Sequence, residues 1–319
     1  MKVFITRKLV GKAEQMLKAN GIQVKTFPED RAISRVELLK NVKDADGIIS
    51  MFTEKIDKKV IDNMERCKII ANCAVGFNNI DVRYANEKNI AVTNTPEILT
   101  DATADLTVAL VLACARRLRE GERMMRKNEW TGWKPQQLLG LEMKNKTVGI
   151  VGAGRIGYAV AKRMKSFGTK IIYFNRKNNL KFEKEFSAQR FSLSTLLKRA
   201  DIVSVHLPLD KKTFHILNKD NLKLMKKNSV IVNSSRGEII EEKSLIQLLK
   251  KKKIFAAGFD VYEGEPVINP ELRKLDNVFL LPHIGSATVE TRSAMAELCA
   301  KNIIKVLSGR KPVTPVYVR

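Results

Sequence analysis

Short β-rich runs alternate with longer helical patterns almost from end to end of the chain, which is the signature of βα units wound about parallel sheets. In the first third, apolar runs predict strands at residues 3–6, 23–27, 47–50, 69–74 and 91–93. Residues 101–127 then carry a helical pattern rich in Ala, Leu and Arg, with Thr100 or Asp101 as its N-cap, and a helix of that length suits a link between domains. A second strand series follows at 147–151, 170–175, 202–206, 230–233, 256–259 and 278–281, and a last helix at about 286–307. The expected class is α/β, with two doubly wound parallel sheets, the smaller first, and a cleft between them of the kind that holds ligands. No repeat array or low-complexity linker interrupts the pattern.

One junction in this pattern carries chemistry. Residues 147–157 read TVGIVGAGRIG, an apolar strand followed at once by GxGxxG and a helical pattern. Gly152 permits the tight turn, Gly154 lets backbone amides approach a pyrophosphate, and Gly157 lets the helix pack closely on the strand. The positive end of the helix dipole then faces the phosphates. The pyrophosphate site so defined takes in Ala153, Gly154, Arg155 and Ile156. The next strand, IIYFNRK, ends in Asn175 where an acid would bond a ribose 2′-hydroxyl, and Arg176 and Lys177 follow it. Without a negative charge to repel a 2′-phosphate, and with two cations to pair with one, this turn favours NADP(H) over NAD(H).

Three further strand ends carry reactive side chains: VIVNSSRG at Arg236, AAGFDVYEGEP at Glu265 and VFLLPHIG at His283. Reducing a 2-keto acid needs a cation to orient the carboxylate and an acid to protonate the carbonyl oxygen as hydride arrives. Arg236 can grip the carboxylate with its guanidinium fork. His283 can hand over the proton, and Glu265, hydrogen-bonded to it, would hold the ring and favour its charged form. His206, in SVHLP, and His215 read as structural or rim residues.

Composition changes this picture little. A chain of 319 residues with 44% hydrophobic composition suits two ordinary domains. The N-terminus lacks a secretory pattern, and the longest strongly apolar run, 106–115, falls well short of the roughly 20 residues that span a bilayer, so the chain reads as cytoplasmic with no membrane segment. Four cysteines without a CxxC pair, and three histidines, offer no metal-ligand cluster, so no metal is expected and the thiols read as fillers in a reducing compartment. The net charge of +24 is spread in short lysine runs without interleaved aromatics. That argues for a solvated basic surface rather than nucleic-acid binding, and for a field that draws in a small anionic substrate.

Taken in order, ANCAVGFNNIDV (71–82), VTNTPEILTDATADLTVALVLACARR (92–117), VGIVGAGRIG (148–157), HLPL (206–209), NSSRGEII (233–240), FDVYEGEP (259–266) and LPHIGSAT (281–288) resemble the D-isomer-specific 2-hydroxyacid dehydrogenases over essentially the whole chain, most of all the glyoxylate/hydroxypyruvate reductase branch. The resemblance implies that Arg236 orients the substrate, Glu265 supports the histidine and His283 transfers the proton. It implies that the amides of Val75 and Gly76 bind the substrate carboxylate and that Met51 walls the pocket. It places Asp260 by the nicotinamide carboxamide, and Thr103, Leu207, Pro208, Thr213, Ser234, Ser235, Arg236, His283 and Gly285 along the cofactor. It also implies a Rossmann cofactor domain, residues 99–287, inserted into a flavodoxin-like substrate domain made of 1–98 and 288–319. A homodimer built on the long helix and the arm with Trp130, Trp133 and Pro135 follows from it too. Two positions depart from the family: Asn78, where many relatives carry Asp, and Asn175 at the NAD-type acid. Competing readings are a 3-phosphoglycerate dehydrogenase, a broad-range D-2-hydroxyacid dehydrogenase and, from another class, a dinucleotide-sensing corepressor.

Overall fold

The computed structural model describes residues 1–317 and divides into two compact units, one made of Met1–Leu99 and the chain from Ser286 on, the other of Thr100–Gly285. Val318 and Arg319, the end of the expected substrate domain, lie outside the described residues.

The first unit carries β1 (Lys2–Ile5), β2 (Gln23–Thr26), β3 (Gly47–Ser50), β4 (Ile69–Asn72) and β5 (Ala91–Thr93), all parallel in the order β2-β1-β3-β4-β5. The period of two along each strand sends alternate side chains to opposite faces. Phe4, Ile48, Ile70 and Val92 enter one apolar layer, while Val3, Ile5, Ile49, Ile69 and Ala71 enter the other, where the helix Val289–Leu307 lies. Helices on both faces make β3 and β4 buried along their whole length, which is why they read as apolar runs up to their last residues, the buried Ser50 and Asn72.

The second unit carries β6 (Thr147–Val151), β7 (Lys170–Phe174), β8 (Gln189–Arg190), β9 (Ile202–Val205), β10 (Val230–Asn233), β11 (Ala256–Phe259) and β12 (Val278–Leu280). Its parallel order, β12-β11-β10-β9-β6-β7-β8, reverses direction between β6 and β9, the switch point at which such sheets bind dinucleotides. Val148, Ile150, Ile202, Val230 and Val232 face one layer; Val151, Val203, Val205 and Ile231 face the other. The chain therefore adopts the doubly wound α/β class, twice.

Several details depart from the expected pattern. The long helix is two: Thr100–Ala115 and Leu118–Arg126, broken at Arg117, whose backbone is left-handed at φ 53°. Tertiary contact ends the first helix, because the Leu141 amide returns to bond the Ala115 carbonyl at 2.8 Å, and Arg117 turns its guanidinium onto Glu120 at 2.7 Å. Helix Thr100–Ala115 begins at Thr100 itself rather than after it as a cap. The final helix begins at Val289, with the Thr288 side chain accepting from the Thr291 amide, three residues later than expected. Several strands stop one or two residues early at their C-terminal ends, and β8 escaped the pattern because two exposed residues show no alternation. Asn302, fully buried in the final helix, accepts the Val313 and Thr314 amides at 2.7 and 3.1 Å and so ties the tail across to β5. No helix among the described residues is long and apolar enough to cross a membrane.

Candidate active site

The turn after β6 fits a dinucleotide on its own geometry. Gly152 sits at φ 102°, and a Cβ there would meet the His206 carbonyl carbon at 2.8 Å, so the turn packs against the end of β9. At Gly157 a Cβ would meet the Gly152 oxygen at 2.2 Å, which seats the helix Arg155–Ser166 directly against the turn. Gly154, by contrast, is exposed and has nothing within 4 Å of its Cβ position. That open side, at the N-cap of a twelve-residue helix whose first amides lack intrahelical acceptors, is the space a pyrophosphate would take. Arg155 is exposed and Ile156 half-buried beside it, while Ala153 is buried and its carbonyl accepts from Asn179 at 3.0 Å.

Around this turn lie the other expected cofactor residues of the unit. Asn175 follows β7, half-buried, and Arg176 and Lys177 are exposed; Arg176 lies 3.9 Å from the Asp210 carboxylate. Leu207 and Pro208 follow β9. The Thr213 hydroxyl is spent inside its own loop, donating to the Pro208 carbonyl at 2.6 Å and accepting the Asp210 amide at 2.8 Å. His206 bonds the Ser204 hydroxyl at 2.7 Å, and burial pushes its imidazole down to about 3, so the ring is neutral and structural. His215 pairs with Glu263 at 3.0 Å.

The reactive side chains stand at the ends of three adjacent strands. After β10, Asn233 is fully buried; its amide group donates to the Arg236 carbonyl at 2.8 Å while its oxygen accepts the Ser235 amide at 3.0 Å. That double bond shapes the loop which presents Arg236. Burial pulls the Arg236 guanidinium below its ordinary value, against the charges of Glu265 and Glu238, yet it stays a cation at neutral pH. After β11, Glu265 uses both oxygens: one accepts the Tyr262 amide at 2.9 Å and the other meets His283 Nδ1 at 2.8 Å. After β12, His283 itself has a left-handed backbone, φ 55°. Asp260, buried at the end of β11, accepts the Ile284 amide on one oxygen and the Gly285 amide on the other, each at 2.7 Å. Burial raises the Asp260 carboxyl, opposed by those amides and by the charge of His283.

A line of hydroxyls completes the edge. Thr103 donates to the Gly285 carbonyl at 3.2 Å, Thr107 donates to the Thr103 carbonyl at 2.7 Å, and Thr107 shares a hydrogen bond of 2.7 Å with Ser234. Thr107 and Asn233 were absent from the expected set. Thr107 had a signal, since it lies one helical turn from Thr103 on the same face; Asn233 had none beyond its place at a strand end.

Met51, Val75 and Gly76 belong to the first unit. Met51 follows β3 and packs on the apolar layer beneath the final helix. Val75 and Gly76 follow β4, and their carbonyls are held by Asn94 and Asn72, each at 2.8 Å. Fixing both carbonyls fixes the planes of the adjoining amides, a role for these asparagines that spacing alone could not reveal.

Residues 108–285 match the family model described as the D-isomer specific 2-hydroxyacid dehydrogenase, NAD binding domain. The chain is 46% identical over 315 residues to the glyoxylate reductase of Thermococcus litoralis, covering 98% of this chain and 95% of that one. Among solved structures it is similar to a protein from Thermus thermophilus (TM-score 0.94, 41% identity, covering 99% of this chain and 100% of that one). It is also similar to an NADPH-dependent glyoxylate/hydroxypyruvate reductase from Sinorhizobium meliloti, solved in complex with NADP and malonate (TM-score 0.86, 30% identity, covering 99% and 96%). The chain belongs to the D-isomer specific 2-hydroxyacid dehydrogenase family. It is an oxidoreductase, and its cofactor is a nicotinamide dinucleotide.

The Glu265–His283 contact has a pH consequence. Burial pushes the Glu265 carboxyl up, but the hydrogen bond and charge of His283, the Tyr262 amide and the charge of Arg236 outweigh it and hold it below the ordinary carboxylate value. A depressed native pKa contributes stability that is present above the unfolded-state value and is lost as pH falls through the native one. The melting temperature of the native chain should therefore fall more steeply than that of Glu265→Gln between about pH 5 and about pH 3. Thermal melts across that window read the difference, and parallel curves would detach the carboxylate from its partner.

Proposed function

We propose that the chain reduces glyoxylate, and with it hydroxypyruvate, to the corresponding 2-hydroxy acid, with NADPH preferred to NADH. The observation that carries this reading is the 2.8 Å pair of Glu265 and His283 at a strand end next to the one that carries Arg236. The names of the relatives at 46–47% identity support the substrate.

A reduced nicotinamide, when bound, supplies the hydride. Arg236 binds the anionic substrate, its fork reaching carboxylate and keto oxygen, and the amides of Val75 and Gly76 take the carboxylate. His283 delivers a proton to the carbonyl oxygen. With Nδ1 bound to Glu265, the proton transferred is the one on Nε2, and Glu265 keeps the ring aimed. Met51 limits the pocket to a small ligand. Arg236 is half-buried, and a substrate carboxylate arriving there adds negative charge to that of Glu265 and Glu238.

Asn175, uncharged and half-buried beside exposed Arg176 and Lys177, supports the preference for a 2′-phosphate. The related reductase solved with NADP is consistent with it. The second unit is the cofactor domain and the first the substrate domain in this reading. We place the reaction in the cytoplasm, which suits four cysteines that are all free thiols. The protein is a homodimer built on the arm after helix Leu118–Arg126, where Trp130 is 50% and Trp133 81% exposed, an apolar area a monomer has no reason to present.

Replacing His283 with Ala should lower kcat with glyoxylate by about a thousandfold while cofactor affinity, read by nicotinamide fluorescence, stays within about threefold. Undiminished turnover would remove the imidazole from the reaction. In the native protein kcat/KM with NADPH should exceed that with NADH by about tenfold, and Arg176→Glu should erase the difference; equal efficiency in the native protein refutes the preference. Light scattering on an eluting column should return twice the chain mass, and the chain mass for Trp133→Glu. A monomeric native protein would end the dimer reading.

A further inference from the structure

The first unit is assembled from two pieces of chain, Met1–Leu99 and the segment from Ser286 on, whose covalent connection runs through the entire second unit. The pieces are held together directly by the hydrogen bonds of the tail to β5 and by the packing of helix Val289–Leu307 on the sheet. In that seam Ala296, Cys299, Ala300 and Ile303 meet Val3, Ile5, Ile49, Ile69 and Ala71. Cys299 is 1% exposed within it. Cys73, the residue after β4, packs against the same seam from the other piece of chain, half-buried, with its amide bound to the Ser50 carbonyl at 2.7 Å. Within that seam the Cys73 side chain, together with burial, holds Cys299 protonated well above the ordinary range. The other two cysteines lie elsewhere: Cys67 in the layer on the opposite face of the same sheet and Cys114 in the second unit, both buried, with burial pushing each up to about 12.

We infer that Cys73 and Cys299 are an oxidisable dithiol, a modification site at which peroxide forms an intrachain disulfide that staples the two pieces of the first unit. The chemistry balances with hydrogen peroxide as the named oxidant. The sulfur of Cys73, the more accessible, attacks one peroxide oxygen, giving a sulfenic acid and releasing water. The sulfur of Cys299, in the same seam, then attacks the sulfur of Cys73; the hydroxide that leaves takes the Cys299 proton and departs as a second water. Two thiols lose two electrons and two protons, and one peroxide becomes two waters. A small dithiol reverses the change. Because the bond joins segments that are otherwise far apart along the chain, it restricts the unfolded chain more than the folded one.

The test uses the whole protein in native buffer with a stoichiometric amount of peroxide. Intact mass should fall by about 2 Da, one disulfide's two hydrogens, and a non-reducing digest should link the peptide holding Cys73 to that holding Cys299. The melting temperature should rise by several degrees and return with dithiothreitol. Cys73→Ser should show neither change, while Cys299→Ser, and as a second variant Cys299→Val, should leave a sulfenic acid at Cys73 that dimedone traps. A native protein in which dimedone traps Cys73 as fully as in Cys299→Ser, or in which Cys73 passes to sulfinic acid without a link, overturns the inference. So does a link to Cys67 or Cys114, or a link that leaves the melting temperature unmoved.

Discussion

The Asp260 carboxylate, buried where β11 ends, accepts the two amides that follow His283, and the course of the chain after β12 depends on that grip. A non-glycine residue in the left-handed region costs about 1–3 kcal/mol. Two hydrogen bonds to a charged group contribute about 1.5–3 kcal/mol each, so the grip outweighs the strain at His283. Burial works against it by favouring the neutral acid, and the same amides together with the nearby imidazole oppose that drift. A residue outside the proposed reacting set thus fixes the chain next to the His283 imidazole.

Position alone does not complete the site; charge must be balanced in a place with little water. Arg236 is a half-buried cation with Glu265 and Glu238 within electrostatic reach, and Glu265 is shared with His283. An anionic ligand arriving beside a guanidinium partly removed from water gains more than it would at the surface. The chain's large positive charge acts at longer range, raising the local concentration of anions without selecting among them.

Most of the fold was legible because strands buried on both faces are apolar at nearly every position, as β3, β4, β9, β10 and β11 are. The glycine turn was legible because close backbone approach excludes every other residue. The break at Arg117 was not: Ala, Leu and Arg continue the helical pattern through it, and the Leu141 amide that ends the first helix comes from a distant segment. Asn72, Asn94 and Asn233 were missed for the same reason, and so was the bond of Thr107 to Ser234. Each matters through a hydrogen bond whose partner is known only once the loops have folded, and an asparagine at a strand end looks alike whether or not it has one.

Residue order by itself determined the α/β class and the place of the dinucleotide turn, and it singled out Arg236, Glu265 and His283 as candidates, because burial, turn sterics and functional-group chemistry are written in residue types at fixed short spacings. Tertiary structure decided which of those groups meet: the Glu265–His283 pair, the grip of Asp260, the hydroxyl line from Gly285 to Ser234, and the seam that holds both Cys73 and Cys299. Contacts between residues tens or hundreds of positions apart depend on how strands order themselves in a sheet, and no local pattern encodes that order.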